Sequence, residues 1–343
     1  MTRLNAVVVG AGLMGRWHAD AARRAGASVT GVVDRDAGRA RKLAHRVGGV
    51  PAFDDIGQAL AAGKVDVVHV CTPLDSHLAV AVQAVGAGCH VLVEKPMVAD
   101  TESADELFAA AAARGVVVCP VHQFLFQPGA LQAVALLPAM GKLRHVEMEV
   151  ASTGADPSAA DRDDVALEIL PHGLAFAARL CGTGIAAVDW DVVRVSAGEM
   201  AISAVVDETR LAIRISMRGR PPANRLRLVT DGGTIELDLF SGFAIVDRTS
   251  ATRVMKIARP FYSAATLGVA ASRNLLARAV RIETAYPGLR ELVRRFYAAA
   301  RGTEASPIPP AESRAVTELW SRLRHAIRPG RSALLSADFT HSR

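Results

Sequence analysis

The sequence predicts an α/β protein in two parts: an N-terminal Rossmann-type, doubly wound parallel sheet and a C-terminal α+β part with a mostly antiparallel sheet. Three observations predict it. Up to about residue 120, short valine-rich runs alternate with alanine-rich stretches of helical period, the rhythm of βαβ units. A glycine run, Gly10-Ala11-Gly12-Leu13-Met14-Gly15, joins the first valine-rich run to the first helical stretch. After about residue 140 the pattern changes to consecutive strands joined by polar or glycine-rich turns, which makes neighbouring strands antiparallel.

Each element follows from its own residues. Ala6 to Val9, Ser28 to Val33, Val65 to Cys71, His90 to Val93 and Val116 to Cys119 are short and apolar on both faces, as strands covered by helices on both sides must be. Between them, Arg16 to Ala25, Gly38 to Val47, Ser76 to Ala87 and Thr101 to Arg114 carry the helical period. In the second part, Leu143 to Ala151, Val192 to Ala197, Ala201 to Val206, Arg210 to Met217, Arg225 to Val229 and Thr234 to Asp238 read as strands. A polar loop and a helical stretch near Ala175 to Leu180 interrupt them. Three helical stretches close the chain: Tyr262 to about Arg281, Gly288 to Arg301 and Ala311 to Ile327. The expected division is a dinucleotide-binding domain over 1–121, a substrate-binding and oligomerisation domain over 122–330 with a late helix packed back on the first, and a loose tail over 331–343.

Composition narrows the class. The chain has 343 residues, half of them hydrophobic, enough for two cores. Forty Lys and Arg against 34 Asp and Glu give a net charge of +6, yet the arginines are scattered rather than gathered on one face, so nucleic-acid binding is not expected. Only five of the forty are lysines. Cys71, Cys89, Cys119 and Cys181 form no C-x-x-C pair and read as reduced core residues. No signal-peptide architecture and no membrane-length apolar run is present, so a cytoplasmic protein is expected.

The chemistry concentrates at the ends of the first strands. In the G-x-G-x-x-G run, Gly10 permits a tight turn, Gly12 lets backbone approach a pyrophosphate, and Gly15 lets helix and strand pack closely; the helix start then offers free N–H groups to the anion. Asp34 follows nineteen residues after Gly15, where a carboxylate binds the adenosine ribose hydroxyls and repels a 2′-phosphate. NAD is favoured, while Arg35 and Arg39 keep NADP open. Cys71-Thr72-Pro73, His77 and Glu94-Lys95-Pro96 also lie at the cofactor edge, since ligands bind beyond the carboxyl ends of strands in open sheets. Asp161, Asp163 and Asp164 suit a solvated helix start better than a metal site, and no metal is expected.

Taken as a connected series, the glycine run, Thr72-Pro73 with His77, and Glu94-Lys95-Pro96 resemble the Gfo/Idh/MocA family, the glucose-fructose oxidoreductase and inositol dehydrogenase group. Gly141-Lys142-Leu143-Arg144 looks like that family's first strand after the cofactor domain, and the resemblance is weak between about 250 and 285. It implies that Lys95 reaches the nicotinamide ribose and the reacting oxygen, and that a second-domain histidine acts as acid or base. His172 is the match. The family's aspartate four residues before it is Glu168 here, and the one three residues after it is Ala175. A carboxylate at i and a histidine at i+4 share a helix face, so Glu168 is expected to orient His172. Pro171 should break a helix through Glu168 and start a new one.

Where the family often carries an Asn-Arg-Arg-like run, this chain has Gln123, Phe124 and Leu125, preceded by His122. Gln123 is assigned to the cofactor, and His122 and Phe124 to the substrate together with Lys95, Glu168 and His172. Losing those polar groups, and Ala175 besides, points to a substrate more apolar than a free hexose. The expected activity is NAD(P)-dependent hydride transfer at a secondary alcohol or ketone of a sugar-derived, cyclitol-like or specialised metabolite. Imine reduction and a non-catalytic cofactor-binding regulator are the alternatives. The open face of the second sheet, expected to be apolar, should bury itself in a homodimer or homotetramer, and Arg273, Arg278 and Arg281 should form a solvated basic helix face.

Overall fold

The computed structural model describes residues 3–152, 159–248, 252–283 and 285–327; the tail at 331–343 lies outside them. The first layer system runs β1 (Asn5–Val9), α1 (Leu13–Arg24), β2 (Ser28–Val33), α2 (Ala37–Arg46), β3 (Ala52–Phe53), α3 (Ile56–Ala61), β4 (Val67–Val70), α4 (His77–Gly86), β5 (His90–Val93), α5 (Thr101–Arg114) and β6 (Val118–Pro120). Every pairing is parallel, in the order β3-β2-β1-β4-β5-β6. The order reverses between β1 and β4, so the crevice for a ligand opens at the carboxyl ends of those two strands. Side-chain carboxylates start the helices: Asp36 accepts from Gly38 N and Arg39 N at α2, and Asp100 from Ser103 N at α5. Gly115, at φ 64°, ends α5 in the left-handed region.

The chain continues through α6 (Pro128–Leu136), β7 (Leu143–Ala151), α7 (Ala159–Cys181), β8 (Asp191–Ser196), β9 (Glu199–Val206), β10 (Thr209–Ser216), β11 (Ala223–Thr230), β12 (Gly233–Asp238), β13 (Phe243–Asp247), α8 (Arg253–Arg281), α9 (Leu289–Ala300) and α10 (Pro310–Ile327). The second sheet is ordered β13-β12-β11-β7-β10-β9-β8 and is antiparallel except between β7 and β10. Its inner face buries Val146, Met148, Ile213, Leu226, Leu228 and Ile235 in a core shared with Leu170, Leu174 and Phe176 of α7. A side chain at Gly173 would press on Ile213 and Met148, so glycine there lets α7 lie close on the sheet beside His172.

Helix α7 corrects the expectation about Pro171. It runs unbroken from Ala159 to Cys181 with the proline inside it. A proline removes the N–H that would satisfy the carbonyl four residues back, here that of Leu167. Trp320 of α10 supplies the missing donor, Nε1 to the Leu167 oxygen at 2.8 Å. Asp163 and Asp164 lie in the first turns of this helix, as expected, but Asp163 is buried rather than solvated. Asp163 is structural: its carboxylate accepts from Arg194 at 2.7 Å and from Gly198 N at 2.8 Å. The side chain of Asp161 lies outside the described residues.

The uncovered face of the second sheet is also not the apolar surface expected of it. It carries Glu147, Glu149, Arg214, Arg225, Arg227 and Glu236, with Arg227 3.6 Å from Glu147 and 3.5 Å from Glu236. Exposed apolar surface is concentrated instead on α8, where the basic face is only partly solvated: Arg278 donates to the carbonyls of Glu283 and Ser241.

Candidate active site

Four strand ends build the site. After β1, Gly10 takes φ 98°, and a Cβ there would collide with the Cys71 carbonyl at the end of β4; a Cβ on Gly15 would collide with the Gly10 carbonyl. Those two glycines serve the protein's own packing. Gly12 differs, because nothing lies within 4 Å of the place its Cβ would occupy. It caps α1, with no side-chain cap and no acidic residue in the first turn, so the N–H groups around Leu13 and Met14 face outward beside open space. That cradle fits a pyrophosphate.

Asp34, half-buried after β2, ties the cradle down by accepting from Ala11 N at 2.7 Å and from Asp36 N at 2.9 Å. Arg39 turns to Asp36, 3.4 Å away, and Arg35 is exposed. After β4, burial and then the Glu94 charge raise the Cys71 thiol well above its ordinary pKa and keep it protonated. His77 is buried with Nε2 2.7 Å from the Thr72 carbonyl and Nδ1 2.9 Å from that of Pro96. Both ring nitrogens are thus committed to backbone. The ring clamps the Thr72-Pro73 loop to the Lys95-Pro96 segment.

Glu94 and Lys95 follow β5 and point to different tasks. Glu94 is buried, and its Oε2 accepts from Lys95 N at 3.2 Å while Oε1 lies 3.0 Å from His18 Nε2. Burial pushes its pKa up, but the His18 hydrogen bond and charge, with Lys95, outweigh that and hold it below the usual carboxylate value. Since an ionised carboxylate only accepts, His18 Nε2 carries a hydrogen. Behind it, His18 Nδ1 meets His69 Nδ1 at 3.0 Å, and His69 Nε2 meets the Tyr297 hydroxyl at 2.8 Å. This buried chain, Glu94–His18–His69–Tyr297, links β5, α1, β4 and α9. None of its last three members was singled out from sequence; the available signal was His69 alone inside a strand otherwise all valine.

Lys95 reaches across to α7, where Nζ donates to the main-chain carbonyl of Glu168 at 3.0 Å. The Glu168 carboxylate is exposed and is not what His172 meets. His172 is buried, stacked on Phe124 with ring centroids 4.3 Å apart, and its Nδ1 has no hydrogen-bond partner among the described residues. The expected carboxylate–imidazole pair is therefore replaced by a lysine–carbonyl bond one turn away. Burial, then the charges of Lys95 and His122, push the His172 pKa well below the ordinary imidazole value. His122 is pushed down to about 3 by burial and then by Lys95, against the opposing pull of Glu94.

Thr72 Oγ1, His122 Nδ1 and Gln123 Oε1 join His172 Nδ1 as buried polar atoms without a partner among the described residues. Buried polar groups are ordinarily satisfied, so unpaired atoms on His122 and His172, both within reach of the Lys95 charge, on the adjacent Gln123 and on Thr72 after β4 fit bound molecules rich in hydroxyls and amides, as a nicotinamide dinucleotide and its substrate are. Phe124 belongs to this site, whereas Phe126 is fully buried core between the Arg179 and Arg295 guanidinium groups. Ala175 is likewise buried core.

The same residues set a pH dependence. A depressed histidine pKa gives stability that is fully present above the unfolded value near 6.5 and is lost as pH falls toward the folded one, because the unfolded chain then binds more protons. The melting temperature should therefore drop steadily from pH 7 to pH 5, and His122→Gln should flatten that drop. An unchanged slope in the variant would refute the assignment.

Known proteins resemble the chain in sequence and in fold. A family model described as an oxidoreductase family with an NAD-binding Rossmann fold matches residues 4–122. The UDP-N-acetylglucosamine 3-dehydrogenase of Acidithiobacillus ferrooxidans is 32% identical over 242 residues, covering 66% of this chain and 72% of its own. An inositol 2-dehydrogenase of Corynebacterium glutamicum is 42% identical over 98 residues, 28% of this chain and 29% of its own. Among solved structures, that of the Acidithiobacillus ferrooxidans enzyme superposes with a TM-score of 0.74 at 24% identity, covering 95% of this chain and 98% of that one. GenD2 from gentamicin A biosynthesis, in complex with NAD, superposes at 0.71 with 23% identity over 93% of each chain.

Proposed function

The chain belongs to the Gfo/Idh/MocA family of oxidoreductases, and from that premise we propose that it interconverts a secondary alcohol and a ketone on a sugar-derived or cyclitol-like substrate, with NAD preferred over NADP. The observation that carries the proposal is Lys95 Nζ, hydrogen-bonded to the Glu168 carbonyl at the meeting of β5 and α7, with the unpartnered buried nitrogens of His172 and His122 close enough for its charge to depress both. When bound, the nicotinamide supplies or accepts the hydride. The rest is done by this chain. The Gly12 cradle and the α1 start hold the pyrophosphate, and Asp34 holds the ribose hydroxyls. Arg39, engaged by Asp36, is drawn away from a 2′-phosphate. The Lys95 ammonium stabilises negative charge on the substrate oxygen, and neutral His172 takes or returns the proton.

Phe124 against His172 gives the substrate pocket an apolar wall, which supports a substrate more apolar than a free hexose. A nucleotide-linked N-acetyl sugar is the first to try, given the name of the 32% identical relative. Imine reduction, the other chemistry the sequence leaves open, finds no support in the names of these relatives. Fluorescence titration with NADH and NADPH, followed by nicotinamide absorbance over a panel of nucleotide-linked sugars, cyclitols and their ketones, tests the reading. Tighter NADH binding and turnover of at least one member is the expected result. Cofactor binding with no turnover across the panel would sink it and favour the regulator.

A further inference from the structure

Helix α8 is anomalous. It has 29 residues and not one of them is buried. Ten of the sixteen large hydrophobic side chains exposed by the described residues lie on it or on its cap Ile282. Helices in proteins owe most of their stability to packing of an apolar face, and a helix without such packing does not persist over a length of about 43 Å. One side of α8 is tethered to the second sheet by polar contacts: Arg259 to Asp247 at 3.1 Å and Asn274 to the Ser241 carbonyl at 3.0 Å, along a groove of about 630 Å³. Its other side faces outward and carries most of the exposed apolar side chains, while Tyr262 and Val269 line the groove.

The order of residues on that side says what covers it. Val254, Phe261, Gly268, Leu275 and Ile282 recur every seven residues, the spacing of a helix-pairing seam. The seam is also a palindrome about Gly268: bulky residues at seven and fourteen positions before it are matched by bulky residues seven and fourteen after it. Ala264 and Ser272, four residues to either side, keep the centre thin. No charge lies on that row; the row three residues on runs Ile257, Ala264 and Ala271 and ends at Arg278, whose guanidinium turns back to the Glu283 and Ser241 carbonyls. Such a pattern fits its own copy run antiparallel, with a two-fold axis through Gly268, better than an unrelated surface.

We infer that α8 pairs with α8 of a second copy as an antiparallel helix dimer. Phe261 packs on the partner's Leu275, Val254 on the partner's Ile282, and the two Gly268 residues meet on the axis, where the absence of side chains brings the backbones together. This inference is independent of the proposed activity.

A residue on a two-fold axis faces itself, which makes the test sharp. Nothing lies within 4 Å of a Cβ placed on Gly268, so substitution there leaves the subunit's own packing alone. The wild-type full chain should be dimeric by light scattering at micromolar concentration. Gly268→Glu, and separately Gly268→Lys, should weaken that dimer by about a hundredfold or more, because like charges meet on the axis. Mixing the two variants should restore it as a heterodimer. A monomeric wild type overturns the inference, as does a dimer indifferent to both substitutions. So does binding of a monomeric wild type to vesicles of phosphatidylserine and phosphatidylcholine, which would assign the apolar seam to a lipid surface. Unchanged circular dichroism in both variants confirms that the subunit is intact.

Discussion

Replacing Lys95 by methionine should lower kcat/KM by about a hundredfold to ten-thousandfold while leaving NADH binding nearly as it was. The expectation rests on geometry and charge together. The ammonium is held toward α7 by the Glu168 carbonyl, and methionine keeps the stem's length and apolar contacts while deleting the one mobile positive charge between that carbonyl and the two buried imidazoles. The cofactor cradle is built elsewhere, from Gly10 to Gly15 and Asp34, so binding should survive. Lys95→Arg should fail almost as badly, since a planar guanidinium fork cannot take the place of the compact ammonium that donates to the Glu168 carbonyl. Steady-state kinetics with a paired cofactor titration measures both quantities. A variant that keeps more than a tenth of wild-type kcat/KM would remove Lys95 from the reaction, and a variant that loses cofactor binding equally would make it a binding residue.

Much of this site was legible in the residue pattern because the first sheet is buried on both faces. Its strands announce themselves as short apolar runs, and Ser28 to Val33 and His90 to Val93 appear in the structure with the bounds the pattern predicts, as does the alternating Leu143 to Ala151 of the second sheet. Motifs at their ends then fall on the ligand side by topology alone. What stayed hidden depends on residues far apart in sequence. Pro171 reads as a helix breaker until Trp320 is seen donating to the carbonyl it orphans. The two-residue strand β3, helix α3, helix α6 and edge strand β13 are too short or too weakly patterned to stand out. Spacing put Glu168 and His172 on one helix face, but four residues turn a helix by about 40° past a full circle, enough at the rim of the pocket to leave one side chain in solvent and the other buried. Arginines on α8 read as a solvated basic face, and the seven-residue apolar spacing beside them gains meaning only from a helix that buries none of its residues.

The second large effect should come from a residue that touches neither cofactor nor substrate. His18→Leu should destabilise the protein by about 3–5 kcal/mol, the usual cost of leaving a buried carboxylate charge without the partner that offsets it. Leucine fits the volume of the ring and removes its two hydrogen bonds, so Glu94 loses the group that holds it ionised, and His69 Nδ1 loses its neighbour. The sign of the accompanying pH effect follows from linkage. Glu94 is held below its ordinary value of 4.5, so its contribution to wild-type stability is present above that pH and disappears as pH falls through the folded-state pKa. In the variant the lowering by His18 is gone and only Lys95 still opposes burial, so the Glu94 pKa rises and the variant should gain stability relative to wild type on acidification. Removing the charge as well, in His18→Leu with Glu94→Gln, should recover part of the loss, because an amide is far less costly to bury than an unpaired carboxylate. Urea unfolding at pH 7 and pH 5 of the wild type, the single variant and the double variant separates the outcomes. A loss under 1 kcal/mol in the single variant would mean that Glu94 is not ionised against His18. A double variant no more stable than the single one would place the cost in lost packing around the ring, and the Glu94–His18–His69–Tyr297 chain would then serve shape alone. If the loss and its recovery both occur, the network holds a buried carboxylate charged one residue before Lys95, fixing through the Glu94 Oε2 contact to Lys95 N the peptide from which the ammonium extends.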